Sequence, residues 1–219
     1  VWFSTLMAHH KIKIEVDEVI ISSTVPRVVF NLRVLSDRYF NTRPLVVGKP
    51  GCKLPVDVRV DAGTAVGPDR LVNTVAGFDL YGGDLIVVDF GTATTFDVAD
   101  YEGAYKGGVI APGINLSLDA LVGKTAQLPR IALESPGSDN VIGTTTETQM
   151  LIGIFWGYVA MIEGLVERTK AQIGRPTTII ATGGLAVLFD EHTDVFDHLE
   201  SDLTLQGLFI LYQRATQTK

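Results

Sequence analysis

Leu85-Ile86-Val87-Val88-Asp89-Phe90-Gly91-Thr92-Ala93-Thr94-Thr95-Phe96-Asp97 is the stretch of sequence that decides the fold of this chain. Its first four residues are apolar and three of them are β-branched, which predicts a buried strand that ends at Asp89. Gly91 then allows a tight reversal, and the residues from Phe96 onward indicate a second strand, antiparallel to the first.

The turn between these two strands has the composition of an anion-binding cradle. Backbone N–H groups and threonine hydroxyls would point inward, and Gly91 would let the backbone approach a phosphate closely. The Asp89 carboxylate is a hard oxygen ligand for a cation that accompanies such a phosphate. The same residues also fit an ordinary hairpin, because threonine has a high strand propensity.

Composition narrows the class of protein. The 219 residues suffice for one large domain or two small ones, and 46% of them are hydrophobic. The net charge of −7 and the absence of a lysine/arginine run disfavour nucleic acid as a partner. The single cysteine, Cys52, excludes an internal disulfide and a cysteine zinc cluster, and it fits a reducing cytoplasm. No uninterrupted apolar run approaches the roughly 20 residues of a membrane span, so none is predicted.

The residues before the central hairpin predict a βαβ unit. Val1–His10 has the apolar spacing of an amphipathic helix end. Val19–Ser23 is a predicted strand, a helix follows Pro26 as far as about Tyr39, and Pro44–Gly48 is a second strand. Strand, helix and strand in this order argue for an α/β sheet.

Gly67-Pro68-Asp69-Arg70 opens the next predicted helix. Asp69 suits the first turn of a helix, where it complements the dipole. Arg70 gains nothing from the dipole at that end. We therefore expect Arg70 either to bind something anionic or to pair with a neighbouring side chain.

Glycine-rich strands and a long helix follow the hairpin. Gly103–Gly113 is a predicted strand whose glycines indicate either a ligand face or tight packing, and Ile114–Leu121 is a predicted helix that Asn115 or Ser117 could cap. A helix is predicted over Thr146–Ile173, with a capping box formed by Thr146 and Gln149. Three glycines inside it indicate close contact with another element, for example at a dimer interface: Gly153, Gly157 and Gly164.

The last strong pattern is a buried strand, Thr177–Thr182, that ends in Gly183-Gly184. A strand that ends in such a turn is typical of phosphate or base pockets. Leu203–Leu211 is a predicted C-terminal helix that docks on the fold.

Four motifs together resemble the type III pantothenate kinases of the actin/Hsp70/sugar-kinase superfamily. They are Gly67-Pro68-Asp69-Arg70, Asp89-Phe90-Gly91-Thr92-Ala93-Thr94-Thr95, Gly107-Gly108-Val109-Ile110-Ala111-Pro112-Gly113 and Ala181-Thr182-Gly183-Gly184. The resemblance implies two ribonuclease-H-like α/β domains, the first incomplete here (residues 1–80) and the second over residues 81–219. It also implies a cytoplasmic homodimer that does not bind a membrane.

The resemblance further implies that ATP phosphorylates pantothenate, the first step toward coenzyme A. Asp69 would be the general base, within a substrate-binding run of Gly67, Pro68, Asp69 and Arg70, and Thr146 would also contact pantothenate. Thr92, Gly183 and Gly184 would bind ATP, which carries Mg²⁺. Asp89 would be the ligand of a monovalent cation, K⁺ or NH₄⁺.

The sequence departs from the family pattern at its start, where it lacks the Asp-x-Gly-Asn-Thr phosphate loop. We therefore expect the chain to be a fragment of a longer product, with weakened ATP binding. Two rival functions remain open. One is a non-catalytic regulatory or partner-binding relative, and the other is a phosphohydrolase of the same superfamily.

Overall fold

The computed structural model describes residues 2–10 and 15–217, which alternate between helices and strands. The helices are α1 (Trp2–His9), α2 (Pro26–Phe40), α3 (Pro68–Tyr81), α4 (Ile114–Gly123), α5 (Thr146–Ile173), α6 (Ala186–Asp190) and α7 (Leu203–Gln217). The strands are β1 (Ile20–Ile21), β2 (Leu45–Val46), β3 (Asp84–Phe90), β4 (Ala93–Ala99), β5 (Tyr105–Pro112), β6 (Thr177–Thr182) and β7 (His198–Leu199).

The chain forms two compact units. The first gathers the described residues up to Leu54, the short run Gly67–Asp69 and the described residues from Leu208 onward. Within it β1 and β2 pair in parallel on either side of α2 in the sequence, which confirms the predicted βαβ unit. The domain boundary between residues 80 and 81 stays a prediction.

The second unit holds Pro55–Val66 and Arg70–Gly207 and is built on a five-stranded sheet. The strand order is β5-β4-β3-β6-β7. β3 pairs antiparallel with β4, and its other edge pairs in parallel with β6. The predicted central hairpin is therefore confirmed, and it forms the middle of the sheet.

Both faces of the central strand are covered, which explains its continuous apolar run. On one face, Ile86 and Val88 share a buried cluster with Phe155 and Ile162 of α5. On the other face, Leu85 and Val87 lie against Gly77 of α3, where an added Cβ would come within 3.4 and 3.5 Å of them. The sheet thus fixes α3 and α5 on opposite sides.

Helix α5 is, among the described residues, the one helix long and apolar enough to cross a membrane. A buried core helix has the same composition, and the inward face of α5 belongs to the core cluster. Three of its side chains, Phe155, Ile162 and Val166, are fully buried there. Packing against the sheet therefore accounts for its apolar character.

Two local predictions about helix starts are wrong. The capping box of α5 joins Thr145 and Thr148, one residue earlier than the predicted Thr146 and Gln149. Helix α4 follows Gly113 without a side-chain cap, and the Ser117 hydroxyl donates instead to the Gly113 carbonyl. At α5, side chains of similar capping ability are neighbours in the sequence, so the backbone path decides which one is used.

Candidate active site

The Arg70 side chain is held by a buried carboxylate. Its Nε donates to Oδ1 of Asp97 over 2.7 Å, and its Nη2 lies 2.6 Å from the same oxygen. The Asp97 side chain is fully buried, whereas that of Arg70 is 17% exposed. Of the two roles that the sequence left open for Arg70, pairing with a neighbour is therefore present. The outer edge of its guanidinium can still meet a ligand.

Two further donors complete the surroundings of Asp97. The Tyr105 hydroxyl donates to Oδ1 over 3.0 Å, and the Thr95 hydroxyl donates to Oδ2 over 2.9 Å. Burial raises the pKa of the Asp97 carboxyl, and these contacts, led by Arg70, oppose that rise. Burial also raises the pKa of the Tyr105 phenol, so this hydroxyl remains a donor.

Sequence reasoning did not single out Asp97 as a functional residue. The available signal was an acidic residue inside a strand whose neighbours on both sides are apolar, Phe96 and Val98. A carboxylate at such a position is buried only when it has a partner, and the partner of Asp97 is Arg70 of α3.

A cavity of about 370 Å³ opens beside Arg70 and Tyr105. Arg59 and Lys106 add positive charge to its wall. Arg59 already pairs with Asp57, Asp100 and Glu102, whereas Lys106 forms no ion pair with the residues that the structure describes. Asp61 adds a negative charge to the same wall, so the cavity offers charged groups of both signs to a small ligand.

Tight packing is the main use of the glycine pair on β5. A Cβ on Gly108 would lie 1.8 Å from the carbonyl oxygen of Phe96, so no other residue fits there. Gly107 has a φ of +102°, a conformation that favours glycine, and it lines the Arg70 cavity. Because Gly108 lines the same cavity, tight packing and an open face occur together at this pair of glycines.

Asp89 lies at the end of β3, where the side chain of α3 residue Asn73 reaches it. The Asn73 amide donates to Oδ2 of Asp89 over 3.0 Å. Thr204 of α7 donates in turn to Oδ1 of Asn73 over 2.7 Å. This chain of hydrogen bonds was not expected from the sequence, because its members are far apart in it.

Gly183 packs directly against Asp89, as the alignment of β3 with β6 requires. Asp89 is opposite Thr182 in the parallel register. Gly183 has a φ of +93°, and a Cβ there would lie 2.7 Å from Oδ1 of Asp89 and equally close to the backbone of Phe90. Two site residues named from the sequence, Asp89 and Gly183, are therefore brought together.

Thr92 and Gly184 are exposed in the turns that follow β3 and β6. Because these neighbouring strands are parallel, their carboxyl ends lie side by side at the same end of the sheet, where α/β proteins commonly bind ligands. The N–H of Gly113 donates to the Thr92 carbonyl over 3.2 Å and fixes the first of these turns. The candidate nucleotide-binding residues thus lie at the same end of the sheet as Asp89.

The remaining candidates lie at helix starts. Asp69 is exposed in the first turn of α3, directly after Gly67-Pro68 and directly before Arg70. Thr146 is exposed in the first turn of α5 and borders a separate cavity of about 390 Å³. The lining of the Arg70 cavity does not include Thr146, so the structure does not bring this residue to Arg70.

The sequence model of the type III pantothenate kinases matches residues 1–168 of this chain. The chain belongs to the type III pantothenate kinase family. It is 61% identical over 219 residues to the type III pantothenate kinase of Roseobacter denitrificans, covering 100% of this chain and 84% of the relative. It is 65% identical over 208 residues to that of Dinoroseobacter shibae, covering 95% of this chain and 80% of the relative.

Among solved structures, a protein from Campylobacter jejuni described as a Baf family transcriptional activator has a similar fold. The TM-score is 0.60 at 15% identity, over 97% of this chain and 89% of that one. At this identity the likeness concerns the fold alone. Family and fold together agree with the expected α/β class of ribonuclease-H-like, actin-type domains.

Proposed function

We propose that this protein transfers the γ-phosphoryl group of ATP to the hydroxyl group of pantothenate, which is the first step toward coenzyme A. The observation that carries this function is the 61% identity to a type III pantothenate kinase over the whole chain. The cavity beside Arg70 supports it, because the guanidinium and Lys106 in its wall can meet the carboxylate that pantothenate carries.

Asp69 is the proposed general base. A carboxylate near the substrate hydroxyl can accept its proton late in the transfer, when positioning and charge neutralisation do most of the catalysis. Its exposure in the first turn of α3, next to Arg70, is consistent with access to a substrate.

Arg70 is the proposed anchor for the negative charge of the substrate. Because Asp97 engages Nε and Nη2, a ligand would meet the outer end of the guanidinium, through Nη1 and the second hydrogen of Nη2. Gly67 and Pro68 would shape the same substrate run, and Thr146 remains a proposed pantothenate contact.

Thr92, Gly183 and Gly184 are the proposed contacts of ATP, and Mg²⁺ would arrive with the nucleotide. Within the described residues no three histidine, cysteine or acidic side chains gather to hold a metal ion by themselves. This agrees with a divalent ion that is bound mainly through substrate phosphates.

Asp89 is the proposed ligand of a monovalent cation, K⁺ or NH₄⁺. The residues fit such a group, because a carboxylate supplies a hard oxygen ligand and the Asp89 side chain is only half-buried near the end of β3. When bound, the cation would offset negative charge on the phosphates.

We also propose a cytoplasmic homodimer that binds neither nucleic acid nor a membrane. Gly153, Gly157 and Gly164 of α5 are exposed and have no atom within 4 Å of an added Cβ. Because no close contact inside the described chain explains them, they support the earlier expectation of an interface.

The test is an assay of ADP release by the full-length gene product with and without pantothenate, combined with detection of phosphopantothenate. We expect release that depends on pantothenate and is faster in K⁺ than in Na⁺, and Asp89→Ala should abolish the difference between the salts. Release without pantothenate would favour a phosphohydrolase, and no release would favour a non-catalytic relative. Equal rates of the unaltered protein in both salts would remove the cation site but not the kinase.

A further inference from the structure

Asn73 is a fully buried polar residue of α3 that the reaction outlined above does not use. It lies one helical turn after Arg70, so that α3 directs both side chains toward the central hairpin. Burying an amide costs free energy unless its hydrogen bonds are made, and here both ends of the amide are engaged.

Thr204 anchors the end of the Asn73 amide that is turned away from Asp89. Its hydroxyl donates to Oδ1 of Asn73 over 2.7 Å, while the amide nitrogen donates to Oδ2 of Asp89 over 3.0 Å. In the opposite orientation the amide oxygen would face a carboxylate oxygen, and two acceptors would repel each other.

We propose that Asn73 is a positioning residue for the cation site at Asp89, and that Thr204 holds the Asn73 side chain in place. The inference rests on the proposed role of Asp89 as the ligand of K⁺ or NH₄⁺. Neither Asn73 nor Thr204 touches the cation. They act through the carboxylate that does.

A neutral amide is well suited to this task. Its hydrogen bond fixes the plane of the carboxylate through Oδ2, while Oδ1 lies against Gly183, where an added Cβ would come within 2.7 Å of it. Because the amide carries no charge, it does not diminish the attraction of Asp89 for a cation, as lysine or arginine at position 73 would.

Thr204→Val is the first test, since valine keeps the shape of threonine and removes its hydroxyl. We expect the K⁺ concentration for half-maximal activity to rise about fivefold, the effect of losing one hydrogen bond. The turnover rate at saturating K⁺ should stay near that of the unaltered protein. Thr204→Ser restores a hydroxyl and should restore the affinity.

Thr74→Val is the matched control. Thr74 is a buried threonine on the same helix, and its hydroxyl donates only to the Arg70 carbonyl, over 2.9 Å. It should leave the K⁺ response unchanged. Asn73→Leu is a second variant that keeps the approximate shape and removes the donor to Asp89 without adding charge, and we expect it to raise the required K⁺ by about fivefold or more.

Binding is measured without turnover by the rise in melting temperature when K⁺ replaces Na⁺, since a ligand that binds only the folded state stabilises it. Thr204→Val should require more K⁺ for the same rise, and Thr74→Val should not. A K⁺ response of Thr204→Val equal to that of Thr74→Val would overturn the inference while leaving the cation site intact. No K⁺ response in the unaltered protein would refute the cation site, and this inference with it.

Discussion

The two carboxylates of the central hairpin, Asp89 and Asp97, make different contacts with the same helix. Arg70 of α3 pairs with Asp97, and Asn73, one turn later, donates to Asp89. Asp97 is fully buried with the guanidinium and two hydroxyl donors, whereas Asp89 is half-buried near the end of its strand and packs against Gly183. The difference separates a carboxylate that orients a side chain from one that we propose holds a cation.

The largest effect should come from Asp69→Asn. This variant tests α3, the helix that also carries Arg70 and Asn73. Asparagine keeps the size and suits a first turn as well as aspartate does, so the fold should be unchanged. Loss of a general base lowers turnover by roughly 10²- to 10⁴-fold, or about 3–5 kcal/mol in the barrier.

The measurement is turnover of pantothenate, with thermal melting as the control. Turnover near that of the unaltered protein would show that Asp69 is not the general base and serves only at the start of α3. Lost turnover at an unchanged melting temperature would separate the chemistry from the scaffold.

Asp97→Asn comes next and removes the charge that holds Arg70. Breaking a buried ion pair from one side costs about 3 kcal/mol or more, because it leaves the partner charge poorly compensated. We expect lower stability in urea unfolding together with a higher KM for pantothenate, since Arg70 loses its orientation.

Asp57→Asn is the matched control, because Asp57 belongs to an exposed ion pair with Arg59 in the same unit. It should change stability little, as exposed pairs usually do. If Asp97→Asn were equally mild, the buried carboxylate could not be what holds Arg70.

The smallest of these effects should distinguish Gly183 from its neighbour. A methyl group on Gly183 would meet Asp89 and Phe90 at 2.7 Å, at a φ of +93°, whereas Gly184 has open space around it. We expect Gly183→Ala to cost about 1–3 kcal/mol and to weaken the K⁺ response, while Gly184→Ala changes neither. Melting curves in K⁺ and Na⁺ measure both, and identical behaviour of the two variants would contradict the close packing at Asp89.

The sequence by itself determined the elements. The hairpin, the βαβ unit and the bounds Thr146–Ile173 of the long helix agree with the structure, because they follow from local periodicity and from glycine and proline signals. Recognition of the family also rested on sequence alone, since its motifs are short runs whose residue order is visible without a fold.

Only the tertiary structure decided which side chains meet. Arg70 and Asp97 are 27 residues apart, and Thr204 and Asn73 are 131 residues apart. No local pattern encodes such pairs, because they depend on which face α3 presents to the sheet and where α7 begins. The sequence could therefore indicate Asp89 and Arg70. Only the packing of helices on the sheet determines that Arg70 pairs with Asp97 and that Asn73 donates to Asp89.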